Sequence, residues 1–94
     1  MVVGVLRLRM VVRGAHSLKE KRRVLKSLKD RLRNRFNISI AEIGDQDHHQ
    51  SLELGVAAVG TDRRYVNGLL SGVVSAAATT TPALELVDYT LELD

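Results

Sequence analysis

The sequence predicts an α+β domain in which a four-stranded antiparallel sheet carries two helices on one face, in the order βαββαβ. Four segments place apolar residues at every second position, and two longer segments repeat them with the period of a helix. Each helical segment joins two strands, and right-handed crossovers put both helices on the same face of the sheet. Because 94 residues suffice for one domain but not for two, residues 1–94 are expected to form a single ferredoxin-like domain.

The first strand is predicted over residues 2–13, with one apolar face and one face that mixes valines with arginines. The apolar face holds Val2, Leu6, Leu8, Met10 and Val12, and the mixed face holds Val3, Val5, Arg7, Arg9, Val11 and Arg13. Gly14 and Ala15 interrupt this alternation and end the strand.

The first helix is predicted over residues 18–35, because Ser17 and Glu20 have the spacing of a capping box. Its apolar arc comprises Leu18, Val24, Leu25, Leu28, Leu32 and Phe36. Lys21 falls inside this arc, so its stem is expected to lie along the core edge while its ammonium group reaches out to water.

The second half of the chain continues with strands at residues 38–44 and 52–60, separated by a polar turn. Thr61 or Asp62 is predicted to cap the second helix. The apolar side of that helix comprises Tyr65, Val66, Leu69, Leu70, Val73 and Val74. Its Gly68 and Gly72 either weaken the helix or allow close packing.

A loop of small residues is predicted over 76–82, and the last strand over 83–92. Leu84 and Leu86 are expected to face the core. The opposite face of this strand is then predicted to hold Val87, Tyr89, Leu91 and Leu93.

Composition restricts the chemistry and the compartment. The absence of cysteine excludes disulfides and thiolate metal sites. Arginines break the apolar N-terminus too early for a secretory signal, and no apolar run is long enough to span a membrane, so a cytoplasmic protein is expected. Carboxylates and imidazoles in residues 45–49 suit divalent ions, but their spacing matches no known ligand pattern. We therefore predict a polar hairpin connection, with no metal and no cofactor.

Positive charge is concentrated in the first third of the chain. Residues 1–36 carry twelve Lys or Arg against Glu20 and Asp30, whereas residues 37–94 carry two against nine acids. One surface of the first helix gathers six of these cations, which we call the cationic ridge: Lys19, Arg22, Arg23, Lys26, Lys29 and Arg33. A ridge of this kind favours nucleic-acid phosphates. A solvated helix exterior and another acidic partner are the alternatives.

Two further sites are predicted with less support from the pattern. Arg13 and His16 precede the N-terminus of the first helix, where free amides favour an anion. The mixed face of the sheet is too apolar for open water, which favours a homodimer or higher oligomer. The residues expected at that interface are Val5, Arg7, Arg9, Val11 and Tyr89.

The run Gly-Ala-His-Ser-Leu-Lys-Glu-Lys-Arg-Arg-Val-Leu-Lys-Ser-Leu at residues 14–28 resembles the signature of the YlxP-like family, a bacterial group of unknown function. Shorter segments at residues 35–37, 40–43 and 54–57 resemble it too, although His48 and His49 stand where an aromatic or large apolar residue is expected. The resemblance implies a ferredoxin-like fold. The family's genes often lie near those of translation initiation and ribosome maturation factors, which implies a role around the ribosome.

Three hypotheses for function follow. The first is a small RNA- or ribosome-associated binding protein that uses the cationic ridge. The second is a homo-oligomeric scaffold or ligand-sensing module that uses the mixed sheet face and binds no nucleic acid. The third, an enzyme that processes anions at residues 13–17, has the least support, because no catalytic triad, carboxylate pair or phosphate-binding glycine motif occurs. We therefore expect no enzymatic activity.

Overall fold

The computed structural model describes residues 1–94 and confirms the predicted α+β architecture. The elements follow in the order β1 (Val2–Val12), α1 (Leu18–Arg35), β2 (Ser39–Gly44), β3 (Ser51–Gly60), α2 (Arg63–Thr79) and β4 (Leu84–Leu93). The strands form one antiparallel sheet in the order β2-β3-β1-β4. Both helices contribute buried residues to the core on one side of this sheet, which is the predicted ferredoxin-like arrangement.

The core is aliphatic and lies between the helices and the inner face of the sheet. The inner face of β1 alternates as predicted, and its residues from Leu6 to Val12 are at most 2% exposed. The helices contribute Leu25, Leu28, Leu32, Val66, Leu70, Val73 and Ala77 to the same cluster. Gly4 marks the closest approach of α2 to β1, because a Cβ atom there would lie 2.5 Å from the Leu70 side chain.

The predicted capping box begins α1. The Glu20 amide donates to the Ser17 hydroxyl at 3.2 Å, and the Glu20 carboxylate accepts from the His16 amide at 2.9 Å. The carboxylate thus bonds the amide one residue before the N-cap, whereas a capping box uses the amide of the N-cap residue itself. These two bonds hold the turn before α1 against the helix.

The second helix is longer than predicted, because residues 76–79 are helical and only 80–83 connect it to β4. Alanine is the best helix former, and Ala77 adds a fully buried methyl group to the core. The helix begins at the Asp62 cap, and Tyr65, predicted on the apolar side, is 57% exposed. A Cβ on Gly68 would meet open space, whereas one on Gly72 would lie 3.1 Å from the Phe36 ring. Close packing therefore explains only Gly72.

The last strand corrects the predicted alternation. A bulge places Arg9 opposite Asp88 and Met10 opposite Leu86, so Val87 is an extra residue without a partner on β1. Beyond the bulge the alternation is reversed. Leu91 and Leu93 therefore pack against the core on the helix side, together with Leu84 and Leu86.

Candidate nucleic-acid interface

The cationic ridge lies on the side of α1 that faces away from the core. Five of its six residues are exposed, and Lys29 is half-buried. The core-facing residues Leu25, Leu28 and Leu32 fix the rotation of the helix, because their burial on the sheet leaves the opposite side to the solvent. From Arg22 to Arg33 the ridge is about 16 Å long at the rise of 1.5 Å per residue of an α-helix.

One acid lies within the ridge and pairs with two of its cations. The Asp30 carboxylate is 3.0 Å from Lys26 Nζ and 3.8 Å from the Arg33 guanidinium. The hydrogen bond from Lys26 lowers the pKa of Asp30 below its usual value of 3.8, and the charges of Lys26, Arg33 and Lys29 act in the same direction. Arg33 also donates to the Ile40 carbonyl at 3.2 Å. Asp30 therefore offsets part of the charge at the centre of the ridge.

The other four cations of the ridge have no acidic partner in the chain. Lys19, Arg22, Arg23 and Lys29 form no salt bridge, since the acids that pair with cations lie at Asp30 or on β2, β3 and β4. The second acid of α1, Glu20, is occupied by the His16 amide. The ridge thus presents more positive charge than the chain itself neutralises.

Two further arginines of α1 have structural contacts and lie outside the ridge. Arg31 donates to the carbonyl and hydroxyl oxygens of Thr80 at 3.2 and 3.0 Å, which ties α1 to the end of α2. Arg35 lies 5.2 Å from the centre of the Phe36 ring, a cation–π distance.

Lys21 was wrongly predicted to extend its ammonium group into water. The side chain is 1% exposed, and Nζ donates to the carbonyls of Asp45 and His48 at 2.5 and 2.6 Å. A carboxylate oxygen of Glu42 lies 2.9 Å away. This contact supplies the partner for Glu42 Oε2, which accepts no hydrogen bond of regular geometry. We call Lys21, Glu42 and the two carbonyls the lysine anchor.

The lysine anchor fixes the connection between β2 and β3 against the first half of α1. Asp45, in this connection, adopts a left-handed backbone with φ of 60°. The Gln50 side-chain amide donates a hydrogen bond of 3.4 Å to the Ala15 carbonyl, just before α1. Sequence reasoning missed Glu42, although its position two residues after the inward-facing Ile40 placed it on the same face as the core. The sequence did contain a signal for this pair, because Lys21 and Glu42 both occupy positions that face the core.

The histidines of the same connection have local roles. The rings of His48 and His49 stack with centres 5.9 Å apart, and His48 Nδ1 accepts from the amides of Gln50 and Ser51 at 3.2 Å. No group of three or more His, Asp or Glu side chains is arranged to hold a metal ion.

The predicted anion-binding residues face carboxylates of their own chain. The Arg13 guanidinium pairs with Glu85 on β4, and the His16 amide bonds Glu20. An incoming anion would have to compete with both carboxylates, which disfavours anion binding at this turn.

Four of the five predicted interface residues share the sheet face opposite the helices, which we call the open face. They are Val5, Arg7, Arg9 and Val11 on β1. Tyr89 lies opposite Leu8, whose side chain faces the helices, because the bulge at Val87 reverses the alternation of β4. The sheet register therefore separates Tyr89 from the other four, although it still borders a shallow cavity of about 450 Å³ on the open face.

The open face carries one ion pair between directly opposite residues, Arg9 and Asp88, and one diagonal pair, Arg7 and Glu53. Arg7 lies 3.9 Å from Glu53, and Arg9 lies 3.8 Å from Asp88. Glu85 pairs with Arg13 and not with Arg7 or Arg9. The reason is that β4 places Glu85 beside Val11, on the Arg13 side of the bulge.

Neither helix of the chain is long and apolar enough to cross a membrane. The family model described as "Protein of unknown function (DUF503)" matches residues 3–91. A relative, the "Uncharacterized protein YlxP" of Bacillus subtilis (strain 168), is 45% identical over 62 residues, which cover 66% of this chain and 67% of that protein. Because the family model spans nearly the whole chain, the chain belongs to this family of proteins of unknown function, the YlxP-like family that the residues of α1 resemble.

Proposed function

We propose that this chain is a cytoplasmic RNA-binding protein, associated with the ribosome or its RNA, that contacts phosphates through the cationic ridge and catalyses no reaction. The observation that carries the proposal is the set of four ridge cations without an acidic partner, Lys19, Arg22, Arg23 and Lys29. A surface that only needed solubility would gain nothing from segregating one sign of charge on a single helix face.

The distribution of the acids supports a polyanionic partner on this side only. Asp45 and Asp47 lie in the β2–β3 connection, and four more acids lie along the strands on the other side of the molecule: Glu53, Glu85, Asp88 and Glu92. A phosphate backbone is therefore attracted most strongly by α1, because acids accompany the cations of the open face.

The mode of binding follows from the residue types available. Sheet-face recognition of RNA bases uses stacking aromatics on the strands, and the one aromatic on a strand of this chain, Tyr89, lies at the edge. Lysine and arginine side chains on α1 contact phosphates without reading bases. We therefore expect binding that depends strongly on salt and weakly on sequence.

The test is the salt dependence of binding to a labelled single-stranded RNA, measured by fluorescence anisotropy. The slope of log K against log salt should be about −0.7 for each contacted phosphate. Replacing the four unpaired cations Lys19, Arg22, Arg23 and Lys29 together by Gln should flatten this slope by up to about three units, because each lost contact removes about 0.7. A flat slope for the unmodified protein would reject the proposal.

A matched pair of variants separates the ridge from net charge. Arg22→Gln with Arg23→Gln and Arg63→Gln with Arg64→Gln each remove two positive charges, the first pair from the ridge and the second from the first turn of α2. Only the first variant should weaken RNA binding and flatten the slope. Equal losses in the two variants would mean that net charge, and not the ridge, attracts the RNA.

The partner in cells can be identified by crosslinking. A tagged full chain should recover ribosomal RNA or ribosomal particles after ultraviolet crosslinking, and the Arg22→Gln, Arg23→Gln variant should recover less. Recovery of equal amounts of RNA by both proteins would contradict the assignment of the ridge.

A further inference from the structure

The open face has an apolar half and a charged half. The apolar half comprises small and branched residues of three adjacent strands: Val3, Val5, Ala41, Ile43, Ala57 and Val59. Three of these remain substantially exposed, with Val5 at 42%, Ile43 at 46% and Val59 at 60%. No element of the chain covers them, since both helices pack on the other side of the sheet.

The charged half contains both signs in separate rows. Arg7 and Arg9 on β1 form a central row, and Arg13 continues it one residue beyond the end of the strand at Val12. Acids flank this row on both neighbouring strands: Glu53 on β3, and Glu85, Asp88 and Glu92 on β4. The distances of 3.9 Å for Arg7–Glu53 and 3.8 Å for Arg9–Asp88 are too long for direct hydrogen bonds, so these guanidinium groups retain free donors.

We propose that a second copy of this chain covers the open face and forms a twofold dimer with its sheets stacked face to face. In a twofold interface the same surface meets itself. With the twofold axis parallel to the strands and midway between β3 and β1, at the centre of the sheet, the arginine row of each copy would lie over β3 of the other and contact Glu53 there. The exposed valines and Ile43 would be buried beside these pairs. This inference is independent of RNA binding, because the open face and the ridge lie on opposite sides of the molecule.

The size of the face suits such a dimer. Four strands at about 4.8 Å spacing and about nine residues at 3.3 Å each give a footprint of roughly 570 Å² per copy. Both copies together would bury at least about 1,100 Å², close to the lower limit of about 1,200 Å² for specific interfaces. Side chains roughen the face, so the accessible area exceeds this footprint.

The charges favour a second copy over other partners. The face carries four acids against three arginines, so it has no excess of positive charge to attract nucleic acid or anionic lipid. A protein partner would need acids opposite the arginine row and arginines opposite the acidic rows. A second copy of this chain carries both kinds of row on the same face. The arrangement of arginine and acidic rows on the open face therefore favours a second copy as its partner.

Sedimentation equilibrium of the full chain provides the first test. The unmodified protein should have twice the monomer mass of 10.4 kDa at micromolar concentration. Val5→Asp should yield the monomer, because a buried unpaired carboxylate opposes association. Since Val5 is 42% exposed in the single chain, this change leaves the core intact. Tyr65→Asp, on the exposed side of α2, should remain dimeric.

A monomeric unmodified protein, or a Val5→Asp variant that remains dimeric, would overturn the proposal. Circular dichroism on each variant establishes that a change of mass does not arise from unfolding.

Charge reversal gives the second and sharper test. One variant carries Arg7→Glu and Arg9→Glu, and a second carries Glu53→Arg and Asp88→Arg. Each alone should be monomeric, because its face has lost the opposite sign, and an equimolar mixture should form a heterodimer. Rescue by mixing cannot come from misfolded chains. A mixture that remains monomeric, or single variants that remain dimeric, would refute the pairing of rows.

Discussion

Lysines of one helix occupy two opposite environments in this chain. Lys19 and Lys26 lie in water on the ridge, whereas Lys21 is buried beneath the β2–β3 connection with two carbonyls and a carboxylate around its ammonium group. Burial of a charge is costly unless each of its donors is satisfied. All three donors of Lys21 have an oxygen within 3 Å, so this lysine is a structural residue and not part of the binding surface.

Replacing Lys21 by Met tests this assignment. The substitution keeps the apolar stem but leaves two carbonyls without a donor and Glu42 without a counter-charge. We expect the free energy of unfolding, measured by urea denaturation, to fall by about 3 kcal/mol. Lys19→Met should change it by less than about 0.5 kcal/mol. Combining Lys21→Met with Glu42→Leu should recover part of the loss, and equal midpoints for Lys21→Met and the unmodified protein would exclude the anchor.

Asp30 is the residue that moderates the ridge. Asp30→Asn should release Lys26 and Arg33 and so tighten RNA binding, with a salt slope steeper by about 0.7 for each additional phosphate contact. Asp47→Asn removes the same charge from the exposed β2–β3 connection and should leave the slope unchanged. Anisotropy titrations of both variants measure the difference, and weaker binding by Asp30→Asn would contradict this role.

The lowered pKa of Asp30 also sets the direction of a pH effect. A carboxyl group with a pKa below its unfolded value stabilises the folded state at higher pH and loses that contribution as pH falls through the lowered value. Asp30→Asn should therefore differ from the unmodified protein in urea midpoint above about pH 5, and the difference should vanish in stronger acid. A difference that grows as the pH falls would contradict the direction assigned to this pKa.

At the scale of elements, β4 shows how one unpaired residue decides which side chains reach the core. Val87 is the extra residue of the bulge, and it allows Leu86 and Leu91 to face the helices although five positions separate them. A regular strand would direct residues separated by an odd number to opposite faces. The bulge thus supplies the core with apolar side chains from both halves of the strand.

Deletion of Val87 should be tolerated for the same reason. The shortened strand would pair regularly with β1 and keep its leucines on the helix side, so we expect a loss of at most about 1 kcal/mol. Deletion of Thr90 is the matched control, because it either moves Leu91 and Leu93 to the open face or places Asp88 against Leu8. That deletion should cost more than about 2 kcal/mol. The free energy of unfolding of both variants is measured by urea denaturation. Equal losses of stability would contradict the register of β4 on β1.

At the scale of the whole molecule, charge is segregated between two surfaces. The helix side carries the ridge, and the open face carries acids interleaved with arginines. If two copies stack through their open faces, the two ridges lie on opposite outer surfaces. One dimer would then contact two segments of RNA, and a strand long enough to reach both would bind more tightly than a short one.

This bivalence gives a prediction that rests on both proposals. An RNA of about 40 nucleotides should bind the unmodified protein at least tenfold more tightly than one of about 12 nucleotides, beyond the statistical gain from extra sites. Val5→Asp should remove this advantage while leaving the affinity for the short RNA unchanged, and Tyr65→Asp should retain it. If Val5→Asp and the unmodified protein preferred the long RNA by the same factor, that preference would not depend on dimer formation.

Most of the architecture is predictable from local patterns in the sequence. Alternation on β1, the capping box before α1 and the apolar arc of α1 depend on local periods of two and 3.6 residues, so element types and most boundaries followed from them. The ridge followed too, because residues on one face of a helix are related by spacing alone. The end of α2 was misplaced, since the small residues at 76–79 have no strong period.

Local periods stop applying where segments that are distant in the chain come into contact. The bulge at Val87 depends on pairing with β1, which no local pattern encodes. The partners of Lys21 come from residues 42–48, far along the chain, and the two carbonyls among them belong to the backbone and leave no trace in residue identity. The packing of the elements sets such contacts. It brings the buried Lys21 and Glu42 together and leaves four cations of the ridge without acidic partners.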